Sequence, residues 1–195
     1  MSILNRIKTP GPKTKTREFF SVDDPGAPYL IGEFIAHILP PADTKEIIFF
    51  GIGSDRSTGD SLGPLAGSYL KEHCSCSSEI FILGTLEDTV HAVNLVERLL
   101  FIKKNFSQPF IIAVDASLGS TKDIGNIKIE KGPLIPGAAV NKKLPPTGDI
   151  HITGTVNIGG FMEYMVLQNT RLGFVMRLAK TIARGLSLGL RKHYN

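Results

Sequence analysis

Residues 51 to 64 read Gly51-Ile52-Gly53-Ser54-Asp55-Arg56-Ser57-Thr58-Gly59-Asp60-Ser61-Leu62-Gly63-Pro64, a glycine-rich loop that carries acid where a phosphate-binding loop would carry lysine. A second acid, Asp115, stands directly after the apolar run Phe110-Ile111-Ile112-Ala113-Val114. Two carboxylates leaving two strands at one edge of a sheet can meet. If they approach to within about 3 to 5 Å they cannot both ionise cheaply, so one pKa rises and the pair shares a proton. Such a pair can activate water. The ionised member acts as general base towards a water attacking a peptide carbonyl, and the protonated member polarises the carbonyl oxygen and then protonates the leaving nitrogen.

Each acid also has a plainer use. Aspartate before a helix is a favoured N-cap, stabilising by about 1 kcal/mol, and aspartate at a strand end often bonds the amides of the following turn. The joint placement of Asp60 and Asp115 lifts the catalytic reading above either residue taken singly. Asp55, Glu87 and Asp88 lie on neighbouring loops, either modulating the pair or simply solvated. His91 and His151 are the candidates for a third ligand if the acids hold a divalent ion, each a lone histidine. Ser54, Ser57, Ser61 and Ser117 fall near the same loops, but no Gly-x-Ser-x-Gly elbow is present. Nucleotide binding is disfavoured: Arg56 occupies the third glycine place of a dinucleotide fingerprint, Gly59-Asp60-Ser61 replaces the Walker Gly-Lys-Ser/Thr, and Asp55 and Asp60 would repel phosphate.

The elements that must position these residues follow from the hydrophobic pattern. Residues 1–28, rich in proline, glycine and polar side chains, are expected as a flexible N-terminal arm, and residues 29–195 as a single domain. Helix is expected from about 31 to 39, strand at 47–50, and a helix after the acidic loop with Asp60 or Ser61 as cap and Pro64 in its first turn. A strand at 80–83 precedes a turn at Gly84-Thr85 and a helix expected from 88 to 104, with Val90, Val93, Val96 and Leu100 on its inner face. The next strand is expected to end at Val114, residues 126–130 alternate like a half-exposed strand, 132–149 read as a Pro/Gly-rich loop, and a strand near 150–158 precedes helical sequence broken near Asn169-Thr170. Alternating strands and helices without strict in-out patterning in the strands predict an α/β fold: a mainly parallel sheet with helices on both faces. Ligands in such folds collect beyond the carboxyl ends of the strands.

The chain has 195 residues, 42% of them hydrophobic, enough for one core. No segment approaches the roughly 18 consecutive apolar residues of a membrane span and no signal peptide is apparent, so a cytoplasmic protein without membrane partners is expected. Cys74 and Cys76 are expected as free thiols, since one intervening residue makes a disulfide between them difficult. The net charge of +4 is spread over the chain without a basic stripe, which disfavours nucleic acid as a partner and is compatible with an acidic protein substrate.

These motifs resemble those of the YyaC-type sporulation proteins (DUF1256), relatives of the spore germination protease and, more distantly, of the hydrogenase-maturation peptidases. Asp60-Ser61-Leu62-Gly63-Pro64 resembles the germination protease's Asp-x-Leu-Gly-Pro motif, and Ala113-Val114-Asp115-Ala116 resembles the segment holding its second catalytic aspartate. Pro136-Gly137-Ala138-Ala139-Val140-Asn141 is similar to that family's Pro-Gly-rich active-site loop, and Asp55-Arg56-Ser57-Thr58-Gly59 with Leu167-Gln168-Asn169-Thr170-Arg171-Leu172 resembles the sporulation branch. The resemblance implies a three-layer α/β/α sandwich of the phosphorylase/hydrolase-like kind and an atypical aspartic endopeptidase of sporulation or germination, acting in the forespore or mother cell on protein or peptide substrates such as small spore proteins. It implies Asp60 and Asp115 as the catalytic dyad, with Asp55, Arg56, Ser57, Thr85, Glu87, Pro136 and Gly137 shaping the substrate cleft. No histidine aligns with the third metal ligand of the maturation peptidases, so neither metal nor cofactor is expected. A homo-oligomer, a non-catalytic spore protein binding peptides through the same cleft, and a metal-dependent processing peptidase stay open as alternatives.

Overall fold

The computed structural model describes residues 16–41, 46–73, 80–136 and 144–194. Cys74, Cys76 and Gly137, with the rest of its loop to residue 143, lie outside the described residues, as do residues 1–15. Among the described residues six strands, β1 (Arg17–Ser21), β2 (Ile47–Gly51), β3 (Ile80–Leu83), β4 (Phe110–Gly119), β5 (Asn126–Lys131) and β6 (Ile150–Ile158), form one sheet in the order β1-β5-β6-β4-β2-β3. The four strands β6, β4, β2 and β3 run parallel, while β5 and β1 continue the sheet antiparallel at one edge.

Among the described residues five helices cover the sheet: α1 (Ala27–Ile38), α2 (Leu62–His73), α3 (Leu95–Asn105), α4 (Glu163–Gln168) and α5 (Leu172–Tyr194). Alternate residues of the central strands face opposite ways, as the pleat requires. Ile47, Phe49, Ile112, Val114, Ile150 and Ile152 pack with the buried faces of α1, α2 and α5. Ile48, Phe50 and Ala113 pack with Leu95 and Ile102 of α3 on the other side. These strands are buried on both faces, which is why they read as continuous apolar runs. The architecture is a mostly parallel α/β sandwich. Among the described residues no helix is long and apolar enough to cross a membrane.

From β2 the chain travels through α2 to β3 at the sheet's edge, then returns through α3, on the opposite face, to β4 on the other side of β2. The connections therefore diverge between β2 and β4, which opens a crevice at the carboxyl ends of those strands.

Three expectations change. Residues 17–28 are not an arm: β1 pairs with β5, Phe20 and Val22 are buried, and α1 already begins at Ala27, because the Phe19-Phe20 segment finds an open edge on β5. The helix expected from 88 begins only at Leu95, and Val93, Val96 and Leu100 are exposed rather than core-facing. Val90 is drawn into a parallel bridge with Ile52, which fixes the irregular segment 84–94 at the end of β2. The strand expected to stop at Val114 continues to Gly119, since β6 supplies backbone partners beyond that point.

The long helix α5 packs against α1 through glycine: a Cβ on Gly185 would lie 2.3 Å from Ile31 Cγ2. Gly185→Ala should accordingly cost about 1–3 kcal/mol by overpacking, the reverse of the gain of up to about 1 kcal/mol that this exchange brings in an open helix. Denaturant titration checks this, with Gly173→Ala, whose Cβ meets nothing within 4 Å, as the neutral or stabilising control.

Candidate active site

Where β2 ends, its neighbour β4 continues, and the step between them forms the site. Gly51 is the last β2 residue paired with β4, opposite Val114. The next residue, Ile52, donates its N–H to the Val114 carbonyl at 2.7 Å, and Gly53 donates to the Val90 carbonyl at 2.8 Å. The chain then doubles back on itself. Gly53 has φ +140°, and a Cβ there would lie 1.9 Å from the Asp60 carbonyl oxygen, so this return requires glycine. Ser54 N–H donates to that same carbonyl at 3.2 Å, and the 3-10 turn Gly59–Ser61 leads directly into α2.

Asp60 lies within that turn, and the Ser54 N–H that bonds its carbonyl also favours the charge of its carboxylate. Asp115 lies inside β4 opposite Thr153 of β6, its Oδ1 accepting the Ala116 N–H at 2.8 Å. Both acids line one cavity of about 500 Å³. Its floor comes from the β2 end and loop (Ile52, Gly53, Ser54, Arg56, Ser57), one wall from His91, Ala92 and Val93, and the rest from Pro136, Leu144, Tyr164 and Leu167.

The two carboxyl groups are not equivalent. Asp115 is 9% exposed, and burial drives its pKa well above the ordinary carboxylate range; the nearby Asp60 charge raises it further, while the Ala116 N–H opposes the shift. Burial raises Asp60 as well, but less completely, and both the Ser54 N–H and the neighbouring His91 pull it back. Burial is the deeper at Asp115, so of the two carboxyls its neutral form is the more strongly favoured.

Of the residues expected in the cleft, Arg56, Ser57, Asp60, Asp115 and Pro136 are brought together here. Asp55 is exposed and is not among the lining residues. Thr85 and Glu87 do not line the cavity either. The Thr85 hydroxyl is engaged by Asp88 N–H and by the exposed Glu87 carboxylate, which that bond holds below its usual range. With the Asp88–Arg98 ion pair, they brace the 84–94 segment. Ser61 donates to the Thr58 carbonyl and Ser117 pairs with Thr155, so neither hydroxyl is committed to a histidine base. Ser57 Oγ is buried at the cavity without a hydrogen-bond partner among the described residues, a state costing about 1–3 kcal/mol until a ligand supplies one.

His151 is held elsewhere: its Nδ1 lies 2.9 Å from the Gly132 carbonyl and its Nε2 3.6 Å from Glu130. His91 does reach the cavity. Among the described residues no three His, Cys, Asp or Glu side chains are grouped to hold a metal ion. Ala92, Val93, Leu144 and Tyr164 were not foreseen as lining residues; they carry no motif and reach the cavity only through loop and helix placement.

A family model described as "Protein of unknown function (DUF1256)" matches residues 19–185. Over 174 residues, 89% of this chain and 84% of the relative, the sequence is 48% identical to the "Uncharacterized protein YyaC" of Bacillus subtilis (strain 168). The fold resembles that of the [NiFe] hydrogenase maturation protease HycI from Thermococcus kodakarensis KOD1, with a TM-score of 0.52 and 19% identity, covering 77% of this chain and 95% of that one. At that identity the likeness is one of fold.

The raised Asp115 pKa has a thermodynamic sign. Below about pH 4 the carboxyl is protonated in folded and unfolded chains alike; as pH rises the unfolded chain ionises first, the folded chain binds more protons, and stability falls. Asp115→Asn removes that penalty while keeping the acceptor for Ala116 N–H. It should melt a few degrees above wild type at neutral pH, the scale on which about 1 kcal/mol moves a domain of this size, with the gap closing towards pH 4. Calorimetry across pH reads this directly.

Proposed function

The chain belongs to the DUF1256 family, and from that premise we propose that it is an endopeptidase in which Asp60 and Asp115 form a metal-independent dyad, serving sporulation or germination in the cytoplasm of a spore-forming bacterium. The single observation that carries this reading is the pairing of two partly or fully buried carboxyls with different proton affinities at the floor of one cavity. Supporting it are the fold likeness to a maturation protease and the resemblance of the two aspartate segments to those of the germination protease.

In this mechanism the Asp60 carboxylate takes a proton from water as the water oxygen bonds to the scissile carbonyl carbon. Protonated Asp115 donates a hydrogen bond to the carbonyl oxygen and then its proton to the leaving nitrogen as the C–N bond breaks. The proton gained by Asp60 returns to Asp115, and the dyad is restored. Arg56 and the unpartnered Ser57 hydroxyl hold the substrate backbone or side chains, and Pro136, Leu144 and Leu167 supply apolar contact. Substrates are proteins or peptides with an extended segment that can enter the cavity, small spore proteins among them.

Incubation of the purified chain with small spore proteins, followed by mass spectrometry, tests the proposal. Asp60→Asn and Asp115→Asn should each lower kcat/KM at least about a hundredfold while the circular dichroism of the folded chain persists, and activity should survive chelation. The pH profile should be bell-shaped, falling in acid as Asp60 takes up a proton and in alkali as Asp115 loses one. Cleavage unchanged in both variants would reject the dyad, and peptide binding without turnover would identify a non-catalytic receptor.

A further inference from the structure

His91 sits on the cavity wall in a segment whose backbone is fixed on both sides. Its N–H donates to Asn94 Oδ1 at 2.8 Å, the Asn94 amide returns to the Thr89 carbonyl at 2.9 Å, and Val90 is bridged to Ile52. The ring itself is oriented by the Val93 N–H, which donates to His91 Nδ1 at 3.3 Å. A nitrogen that accepts a hydrogen bond carries no proton, so the neutral ring is the Nε2–H tautomer. Among the described residues Nε2 makes no hydrogen bond, although the ring lines the cavity.

Among the described residues, the other charged or titratable groups of that cavity are Arg56 from the loop after β2, Asp60 from the turn before α2, Asp115 from β4 and Tyr164 from α4, and the described lining residues of the 132–149 segment, Pro136 and Leu144, are apolar. Arg56 donates its Nε–H to Ser54 Oγ at 3.4 Å. Tyr164 accepts from Gln168 Nε2 at 2.9 Å. Asp115 has the Ala116 N–H as its hydrogen-bond donor. The free donor of His91 and the less buried carboxylate of Asp60 are complementary.

We propose that His91 is a positioning residue of the dyad: its backbone-pinned ring presents Nε2–H to the Asp60 carboxylate, orienting it and making Asp60 rather than Asp115 the member that accepts the proton of water. This gives a role to the bridge that ties the 84–94 segment to the end of β2. A helix begun at residue 88 would lack the Val90–Ile52 bridge that places His91 at the cavity. The presence of His91, which favours the Asp60 charge, acts in the same direction. The role is filled by a hydrogen-bond donor, so glutamine can partly replace it and alanine cannot.

The inference rests on the dyad reading, and two readouts keep the two apart. In the full-length chain, His91→Ala should lower kcat/KM at about pH 5 roughly tenfold more than at about pH 8, because Asp60 then holds its proton to higher pH. His91→Gln should restore the wild-type profile in shape. A His91→Ala profile parallel to wild type, in a variant that melts normally, overturns the inference and leaves the dyad standing. The second readout needs no turnover. With ¹³C-labelled aspartate, NMR titration should place the Asp60 midpoint higher in His91→Ala than in wild type and near wild type in His91→Gln, and ¹⁵N spectra should show His91 protonated at Nε2. An Asp60 midpoint indifferent to both substitutions, or a ring protonated at Nδ1, overturns the inference. If the couplings are present but no peptide is cut, the peptidase reading fails instead.

Discussion

Ile52 donates its backbone N–H to the Val114 carbonyl at 2.7 Å, and this last bond of the β2–β4 ladder decides where the acidic loop goes. In a parallel pair the register sets which residues leave the sheet side by side. Here it puts the loop carrying Asp60 beside the residue after Val114, which is Asp115. A slip of one residue would turn the Asp115 side chain to the opposite face, among the buried residues of α2 and α5. The register is secured by apolar packing on both faces of β2 and β4, so core burial and site geometry are the same constraint.

The sheet edge is also what separates the two carboxyls chemically. Asp115 stays within a strand that β6 continues to support, so it is deeply buried and has one backbone donor. Asp60 lies in a turn at the cavity floor, where Ser54 and His91 favour its charge. Two residues of the same type thus acquire different proton affinities from the depth at which the fold holds them. A pair left equivalent would have no built-in division between base and acid.

Helical periodicity misled in one segment for an identifiable reason. Val90, Val93, Val96 and Leu100 recur at helical spacing, yet only Val90 is buried, and it is buried in a bridge rather than in a helix. The Asn94 side chain bonds the Thr89 carbonyl and the His91 N–H at the start of the turn at residues 91–94, and the Thr85–Asp88 bonds tighten the segment before it. Side-chain bonds to backbone of this kind compete with helix formation, and spacing of apolar residues alone does not register them. The antiparallel edge was missed differently. Arg17–Ser21 is too short and too flanked by prolines to announce itself, and becomes a strand because β5 offers it an unpaired edge.

Much about this protein is local and therefore legible in the chain. The apolar runs that must be buried strands, the glycines that permit a tight return after β2, and the acids that end up on that return are all set by residue type and short-range spacing. So is the mostly parallel α/β class, because strand and helix alternate along the chain. What no local pattern contains is the strand order, with β4 rather than β3 beside the acidic loop's exit on the side of Asp115, and the path of residues 84–94 across the end of β2. Long-range pairing and the burial of both sheet faces decide those, and with them that His91 joins the two aspartates while Thr85, Glu87 and His151 stay away from the cavity.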